Sequence, residues 1–362
     1  TDKELVEKAL NGMLQALDPH SSYMNEEVFK EMQEDTSGTF GGLGIEITTD
    51  KGFIKIISPI DDTPADKAGI QAGDYITHLN GDSVVDMNLK EAIDIMRGEV
   101  GTSITLTIIR GTEEPFDVEL IRDTIKMASV KHRVLNDVGV LRVSTFNEQT
   151  TSGLKDSIQE LEESENPPIG YVLDLRNNPG GLLTESVSVS DLFLEQGEIV
   201  SIRGREKKDV QVFSAKKGDL IYQKPLVVLI NEGSASASEI VAGALQDHDR
   251  AVIMGMKSFG KGSVQTIVPI DSGAIRLTIA KYYTPSGDSI QAVGIEPDVV
   301  VPRAELNIID NYFTFRESDY QDALDNETTD GSEEEATSTD ILEKDYQLSR
   351  AVDAVKTIAV LN

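Results

Sequence analysis

One segment of the chain reads Pro225-Leu-Val-Val-Leu-Ile-Asn-Glu-Gly-Ser-Ala-Ser-Ala-Ser-Glu-Ile240. Its first part is a short apolar run, which is typical of a buried strand, and residues 239–246 have the spacing of a helix. The glycine and the serines between them therefore lie at a strand-to-helix junction. A serine at such a junction is exposed, and the N–H groups at the start of the helix point toward it.

A lysine between two glycines follows in Ser258-Phe-Gly-Lys-Gly-Ser-Val-Gln265. Serine is a poor nucleophile unless a base takes its proton. Lys261 is a candidate base, because enclosure away from water lowers the affinity of a lysine for its proton. Gln265 is a candidate for holding or orienting the amine through its amide oxygen. The two motifs predict a hydrolase with a Ser-Lys pair.

The junction offers three candidate nucleophiles, Ser234, Ser236 and Ser238, and their spacing does not separate them. Ser238 directly precedes Glu239, so it is also a candidate N-cap of the helix.

None of the four histidines is the expected base; they are His20, His78, His132 and His248. His248 is nearest to the serines in sequence, but about two helical turns at about 1.5 Å per residue place it about 15 Å away. We expect it to be a solvated residue at the helix end. His20 follows Asp18-Pro19 and fits a capping or turn role.

Acyl transfer also requires hydrogen-bond donors that stabilise the oxyanion of the tetrahedral intermediate. The motif Asp174-Leu-Arg-Asn-Asn-Pro-Gly-Gly181 follows another apolar run and offers the backbone N–H groups of Gly180 and Gly181. The N–H of Ala237 is the further candidate. The alternative is that Pro179-Gly-Gly only forms a turn that ends a strand.

Residues 38–123 have a different pattern, in which short strands alternate with glycine turns around one helix at residues 89–96. Three motifs in this region resemble a PDZ domain: Gly41-Gly-Leu-Gly-Ile-Glu46, Ala65-Asp-Lys-Ala-Gly-Ile-Gln-Ala-Gly-Asp74 and Ile76-Thr-His-Leu-Asn-Gly81. Such a domain implies a protein or peptide C-terminal tail as ligand, bound by backbone N–H groups and a strand edge. The expected carboxylate-binding residues are Gly42, Leu43, Gly44 and Ile45. The alternative is that the glycines only make a tight turn.

The remaining regions complete the predicted organisation. Residues 1–37 are predicted to be helical and to pack on the core or form a dimer contact. Residues 124–309 alternate strands and helices, which predicts an α/β domain with largely parallel central strands. Residues 345–362 are predicted to form a closing helix.

Residues 310–344 are predicted to be an acidic, mobile insertion. From Glu317 to Asp345 the chain contains twelve Asp or Glu residues and one Lys. Such a composition favours a solvated segment, and the alternative is a docking site for a basic partner.

Composition narrows the classes of protein. The 362 residues suffice for two or three domains, and a net charge of −30 disfavours nucleic acid and anionic membranes as partners. The absence of cysteine excludes a thiol nucleophile and disulfides. No apolar run is long enough to span a membrane, and the chain opens on Thr1 without an apolar leader, so we expect that any targeting segment was removed. We expect neither a cofactor nor a metal.

Six motifs in order, across about residues 9–303, are similar to those of the C-terminal processing proteases, a family of Ser-Lys peptidases also called tail-specific proteases. They are Leu17-Asp-Pro-His-Ser-Ser-Tyr23, the PDZ-like segment, Asp174-Leu-Arg-Asn-Asn-Pro-Gly-Gly181, Ser234-Ala-Ser-Ala-Ser-Glu239, Phe259-Gly-Lys-Gly-Ser-Val-Gln265 and Tyr283-Thr-Pro-Ser-Gly287. The resemblance implies that Ser236 is the nucleophile, Lys261 the base and Gln265 its orienting partner. Two features depart from the pattern: Asp288 stands where a basic residue is expected, and the acidic insertion precedes the last helix.

The resemblance also implies a fold and a setting. The fold is an α/β crotonase-like (ClpP/crotonase-type) protease core with an inserted PDZ domain and N- and C-terminal helices. The activity is that of a serine endopeptidase, with an acyl-enzyme intermediate and PDZ regulation. The expected location is extracytoplasmic, in the bacterial periplasm or cell envelope, with membrane association through a segment outside this chain. The expected partners are an adaptor protein and further copies of the chain in a homo-oligomer. Two other classes stay open: a PDZ scaffold with an inactive core, and an acyl-CoA enzyme.

Overall fold

A computed structural model of the protein describes residues 1–85, 87–206, 208–216, 218–304 and 339–361. Most of the predicted acidic insertion, residues 310–338, lies outside the described residues. Within the described residues, no helix has both the length and the apolar character needed to cross a membrane.

The N-terminal segment consists of α1 (Asp2–Gln15), β1 (Ser22–Asn25) and α2 (Glu26–Ser37). A capping box between Thr1 and Glu4 begins α1, and the Asn25 side chain accepts the N–H of Val28 at the start of α2. No residue of α1 is buried, and Val6 and Met13 are more than half exposed. These apolar side chains of α1 therefore face solvent in the single chain.

The inserted unit has ten elements. They are β2 (Thr39–Gly42), β3 (Ile45–Asp50), β4 (Phe53–Pro59), α3 (Pro64–Lys67), β5 (Tyr75–Leu79), β6 (Asp82–Ser83), α4 (Leu89–Met96), β7 (Ser103–Ile109), β8 (Phe116–Ile121) and β9 (Asp123–Lys126). Strands β3, β4, β5, β7 and β8 form an antiparallel sheet in that order, with a separate apolar core. The entering strand β2 pairs with the leaving strand β9, so that Gly41 lies opposite Thr124. The unit is thus an insertion whose two ends lie side by side.

The core of the protein consists of the remaining helices and strands. They are β10 (Val130–Leu135), β11 (Val138–Val143), α5 (Thr150–Glu162), β12 (Gly170–Asp174), α6 (Leu183–Asp191), β13 (Glu198–Gly204), β14 (Val210–Ser214), β15 (Leu226–Ile230), α7 (Ala237–Asp247), β16 (Val252–Gly255), β17 (Ser263–Ile270), β18 (Gly273–Tyr283), β19 (Val299–Val300), α8 (Thr339–Lys344) and α9 (Tyr346–Leu361).

The central sheet has the order β10-β11-β12-β15-β16-β19 and is parallel except for the antiparallel pair β10 and β11. Every residue of β12 and β15 is buried, as expected for parallel strands covered on both faces. Helices α5, α6 and α7 pack on one face and α9 on the other. The predicted α/β arrangement is therefore present.

A second sheet has the order β1-β18-β13-β14, with β17 also paired to β18. Strand β1 was not predicted from the sequence. Its partner strand lies about 250 residues away, and the pairing places Tyr23 opposite Ile275. This pairing brings the segment between α1 and β1 against β18, beside the loop that carries Lys261.

Candidate active site

Ser236 lies where β15 passes into α7 and is the N-cap of that helix. Its backbone has φ 55° and ψ −110°, a conformation that is costly for a residue with a side chain and that occurs at functional turns. The prediction that Ser238 is the N-cap is wrong, because Ser238 lies inside the first turn of α7.

The three serines of the junction differ in what their hydroxyl groups contact. Ser234 Oγ donates to the carbonyl of Leu175 at 2.8 Å, and Ser238 Oγ donates to the carbonyl of Asn178 at 2.9 Å. Both side chains are fully buried and hold the junction against the loop after β12. Ser236 is 7% exposed, and its hydroxyl lies close enough to that of Tyr282 to act on the Tyr282 pKa. The geometry therefore separates Ser236 from the other two.

Glu239 joins the nucleophile turn to the lysine loop. One oxygen, Oε2, accepts the N–H of Ser236 at 2.7 Å and the N–H of Lys261 at 2.9 Å. The other, Oε1, accepts the N–H of Gly260 and the hydroxyl of Ser258, both at 2.6 Å. Burial raises the pKa of Glu239, and these four hydrogen bonds oppose that rise. A single buried carboxylate thus sets the separation of the two loops.

Lys261 lies between α7 and β17 and is half-buried. Burial lowers its pKa, the positive charge of Arg276 lowers it further, and Glu239 opposes both effects. The environment therefore favours the neutral amine, which is the form that can act as a base.

His20 lies close enough to Lys261 for their charges to interact. Burial lowers the pKa of His20, and the charge of Lys261 lowers it again. The predicted turn role is also present, because the N–H of His20 donates to Asp18 at 2.8 Å. The position of His20 near Lys261 was not predicted, although His20 belongs to one of the six motifs.

Gln265 is on β17, and its Nε2 donates to Ser263 Oγ at 2.9 Å and to Thr278 Oγ1 at 3.3 Å. The pairing of β17 with β18 shifts register between Val264 and Gln265, which changes the simple alternation of side chains there. No hydrogen bond between Gln265 and Lys261 is present among the described residues, so the predicted contact is not formed in this conformation.

Gly180 lies against Ala237, and the N–H groups of the three predicted oxyanion donors differ in availability. The N–H of Gly180 donates to Asn178 Oδ1 at 2.9 Å and is occupied. A Cβ at Gly180 would lie 2.9 Å from the Cβ of Ser236 and 3.0 Å from the N of Ala237, so only glycine permits this approach. Ala237 is the first residue of α7, and its N–H has no partner within the helix.

Gly181 has φ 146°, and a side chain there would overlap the carbonyl of Phe146. Its N–H makes no hydrogen bond with any described residue. Among the predicted donors, Ala237 and Gly181 therefore have free N–H groups.

Two residues that the sequence analysis did not assign belong to the site. Tyr282 is buried beside Ser236, and burial raises its pKa to about 12, with the neighbouring Ser236 side chain opposing the rise. Glu239 completes a Ser-x-x-Glu capping box with Ser236, a signal that was readable in the sequence. His248 lies outside the site: its Nε2 is 2.7 Å from the carbonyl of Glu198, so it is a half-buried anchor rather than a solvated residue.

The inserted unit contains a second site, a cavity of about 260 Å³ between β3 and α4. Its lining includes the four residues predicted to bind a carboxylate and, opposite them, Ile93 and Met96. The carbonyls of Leu43 and Gly44 accept the N–H groups of Ala65 and Ile60, which holds the loop in place.

Comparison with known proteins identifies both the core and the inserted unit. Residues 137–301 match the model of peptidase family S41, and residues 55–110 match a PDZ domain. The carboxy-terminal-processing protease of Bartonella bacilliformis is 58% identical over 304 residues, covering 83% of this chain and 70% of that protein. The carboxy-terminal processing protease of Bacillus subtilis is 39% identical over 308 residues, covering 84% of this chain and 65% of that protein.

Among solved structures, a photosystem II D1 C-terminal processing protease aligns with a TM-score of 0.50 at 31% identity, covering 82% of this chain and 81% of that chain. The fold and the site thus define a serine-type peptidase with a PDZ domain. The chain belongs to peptidase family S41.

Proposed function

We propose that this peptidase cleaves proteins that it recognises by their C-terminal tails, with Ser236 as nucleophile and Lys261 as general base. The observation that carries the assignment is the buried Glu239 carboxylate, which accepts the backbone N–H groups of both residues. The names of the related proteins support carboxy-terminal processing as the activity.

In the proposed reaction, neutral Lys261 takes the hydroxyl proton of Ser236 as Oγ attacks the carbonyl carbon of the scissile peptide. The N–H groups of Ala237 and Gly181 bind the oxyanion that forms. Collapse of the intermediate breaks the C–N bond, and the Lys261 ammonium gives its proton to the leaving amine. Water then attacks the acyl-enzyme by the same steps and releases Ser236.

No hydrogen bond joins Ser236 Oγ to Lys261 Nζ among the described residues, so the proposed proton transfer requires the two side chains to approach, and two further predicted residues also require a local change before they act. Gly180 becomes a third oxyanion donor only if Asn178 Oδ1 releases its N–H. Gln265 reaches Lys261 only if one side chain moves toward the other. We propose that substrate binding produces the second change, because catalytic hydrogen bonds often tighten only in the complex.

The catalytic assignment is tested with Ser236→Ala and Lys261→Ala. Each variant should lose cleavage of an unfolded test protein, such as casein, by at least about 1000-fold while retaining the wild-type melting temperature. Ser152→Ala and Lys257→Ala, which change exposed residues outside the site, serve as matched controls. Retained cleavage in either site variant would contradict the assignment. Acylation by a fluorophosphonate in the wild type, absent in Ser236→Ala, distinguishes the enzyme from a scaffold with an inactive core.

We propose that the PDZ cavity binds the tail and that binding regulates cleavage. A physical route exists, because the Arg97 guanidinium at the cavity stacks on the Phe40 ring at 4.2 Å and pairs with Glu34 of α2 at 3.3 Å. Tail binding that moves Arg97 would therefore act on α2.

Deletion of residues 42–123 tests this regulation. The flanking residues Gly41 and Thr124 are paired across β2 and β9, so a short linker can join them. The deletion should change the turnover rate. It should also abolish the preference of the enzyme for a substrate with a free C-terminal tail over the same substrate with its tail blocked. Unchanged turnover together with unchanged preference would exclude a role for the PDZ domain.

The finer features of fold and setting are also proposals. We propose the boundaries 1–37, 38–123, 124–309, 310–344 and 345–362 for the regions of the chain, with a crotonase-like core. The strand-turn-helix geometry at Ser236 and the parallel sheet support this core. The exposed apolar face of α1 supports a homo-oligomer through the N-terminal segment. The bacterial relatives support an extracytoplasmic location, and an adaptor protein is a further expected partner.

A further inference from the structure

A chain of hydrogen bonds runs from the N-terminal segment to Gln265. Thr278 Oγ1 lies 2.9 Å from Asp18 Oδ1, and Gln265 Nε2 lies 3.3 Å from the same Thr278 oxygen. Ser21 reinforces the chain, because its Oγ accepts the N–H of Thr278 at 3.1 Å and donates to Asp18 Oδ2 at 2.5 Å. Asp18 thus contacts β18 at the residue that faces Gln265.

The chemistry of these groups fixes the direction of each hydrogen bond. An ionised carboxylate only accepts, so the Thr278 hydroxyl must donate its proton to Asp18. The lone pairs of the Thr278 oxygen are then the only groups left for Gln265, which must present its NH2. Ser263 Oγ accepts the same NH2 group. The amide oxygen of Gln265 therefore points away from Thr278 and has no partner among the described residues.

The ionised state of Asp18 is supported by its surroundings. Burial would raise its pKa, but hydrogen bonds from Ser21, the N–H of His20 and Thr278 outweigh burial and lower it. Asp18 is therefore an acceptor at any pH near neutrality.

We propose that Asp18, acting through Thr278, is a positioning residue that sets the amide orientation of Gln265, so that its oxygen is available to the Lys261 amine. This inference rests on the proposed function, in which Lys261 is the base. Lys261 has only N–H donors in its charged form, so the reversed amide would present NH2 to NH3⁺ and repel it. Without Asp18, Thr278 could donate to Gln265 and favour that reversed state.

The test is Thr278→Val, which removes the hydroxyl without changing charge. Thr278→Ser keeps the hydroxyl and should restore the wild-type behaviour. Thr266→Val makes the same change on the residue after Gln265 and is the matched control. We expect kcat of Thr278→Val to fall about tenfold with KM nearly unchanged, because the amine loses its orientation while no substrate contact is lost.

The second readout is the pKa of Lys261, measured by NMR on lysine-labelled Ser236→Ala protein saturated with a peptide substrate, the state in which Gln265 is proposed to reach Lys261, and assigned with Lys261→Arg. Loss of an acceptor destabilises the ammonium, so the pKa should fall in Thr278→Val and return in Thr278→Ser. The other ionisable groups around the amine, His20, Arg276 and Glu239, are unchanged in these variants. This measurement does not require cleavage, so it separates failure of the proposal from failure of the proposed function.

An unchanged Lys261 pKa in Thr278→Val, or a fall in kcat shared equally by Thr266→Val, would overturn the inference. Asp18→Asn is the further variant: its amide can donate to Thr278 and reverse the chain, so it should reproduce the kcat loss of Thr278→Val. A double variant of Thr278→Val and Gln265→Ala should have the same kcat as Gln265→Ala alone, because both changes remove the same contact, that of Gln265 with Lys261.

Discussion

At the scale of single residues, Glu239 explains how a serine and a lysine on separate loops reach a common site. All four of its partners donate, and two of them are the backbone N–H groups of Ser236 and Lys261. A buried carboxylate with four donors is costly to replace, because each lost acceptor leaves a buried N–H or O–H without a partner.

We predict that Glu239→Gln reduces kcat by about 100-fold. The amide NH2 group cannot accept a hydrogen bond, so it would face N–H or O–H donors and shift the loop of Ser236 relative to the loop of Lys261. The free energy of unfolding should fall by about 2–4 kcal/mol. Glu232→Gln, on the exposed part of the same turn, is the control and should change neither quantity. Activity assays and urea unfolding measure the two effects.

A second residue prediction concerns pH. Lys261 must lose its proton to act, so kcat/KM should rise with pH through the Lys261 pKa, which lies below the ordinary lysine value of about 10.4. Arg276 contributes to that lowering. Arg276→Gln should therefore raise the Lys261 pKa and move the acidic limb of the profile to higher pH. Arg205→Gln, at an exposed position, should leave the limb in place; a shift to lower pH in Arg276→Gln would contradict the argument.

At the scale of elements, the closing helix α9 packs on the sheet through apolar side chains, and one arginine joins the start of the helix to the end of β12. Arg176 donates to Asp174 and, through two nitrogens, to Asp345, which also accepts the N–H of Leu348 at the start of α9. Asp345 is thus both the cap of the helix and its ionic anchor.

We predict that Asp345→Asn lowers the free energy of unfolding by about 1–3 kcal/mol at pH 7. Burial would raise the pKa of Asp345, but Arg176 outweighs burial and lowers it. The contribution is therefore fully present above the unfolded carboxyl pKa of about 3.9 and is lost as pH falls through the lower folded value. Wild type and variant should converge in stability near pH 2, whereas Asp353→Asn, in an exposed pair, should match wild type throughout.

Helices and strands with a clear local sequence pattern could be predicted from the sequence, whereas a strand defined only by its pairing with a distant strand could not. Helix α4 was predicted with its observed bounds, because its apolar spacing and its Asn88 cap are local signals. Strand β1 was missed because only its pairing with β18 makes it a strand. The same pairing carries Asp18 and His20 to the catalytic loop, so their place in the site could not be read from spacing. Glu239 could have been assigned, since its capping box lies within four residues.

At the scale of the whole molecule, the net charge of −30 creates a negative electrostatic potential that acts on every approaching substrate tail. The PDZ cavity itself is mainly apolar, with Glu46 and Arg97 in its lining, so local contacts give little preference for either sign of charge. Discrimination between acidic and basic tails should then arise from long-range electrostatics.

We predict that a substrate whose tail carries lysines upstream of a terminal apolar residue is cleaved faster at low ionic strength than one with glutamates at the same positions. The Debye length falls from about 30 Å at 0.01 M salt to about 8 Å at 0.15 M, so added salt should slow the basic substrate and speed the acidic one until they converge. An otherwise identical uncharged tail controls for direct effects of salt on the enzyme. The same salt response for both charged tails would show that binding at the cavity, rather than the field of the whole chain, selects the substrate.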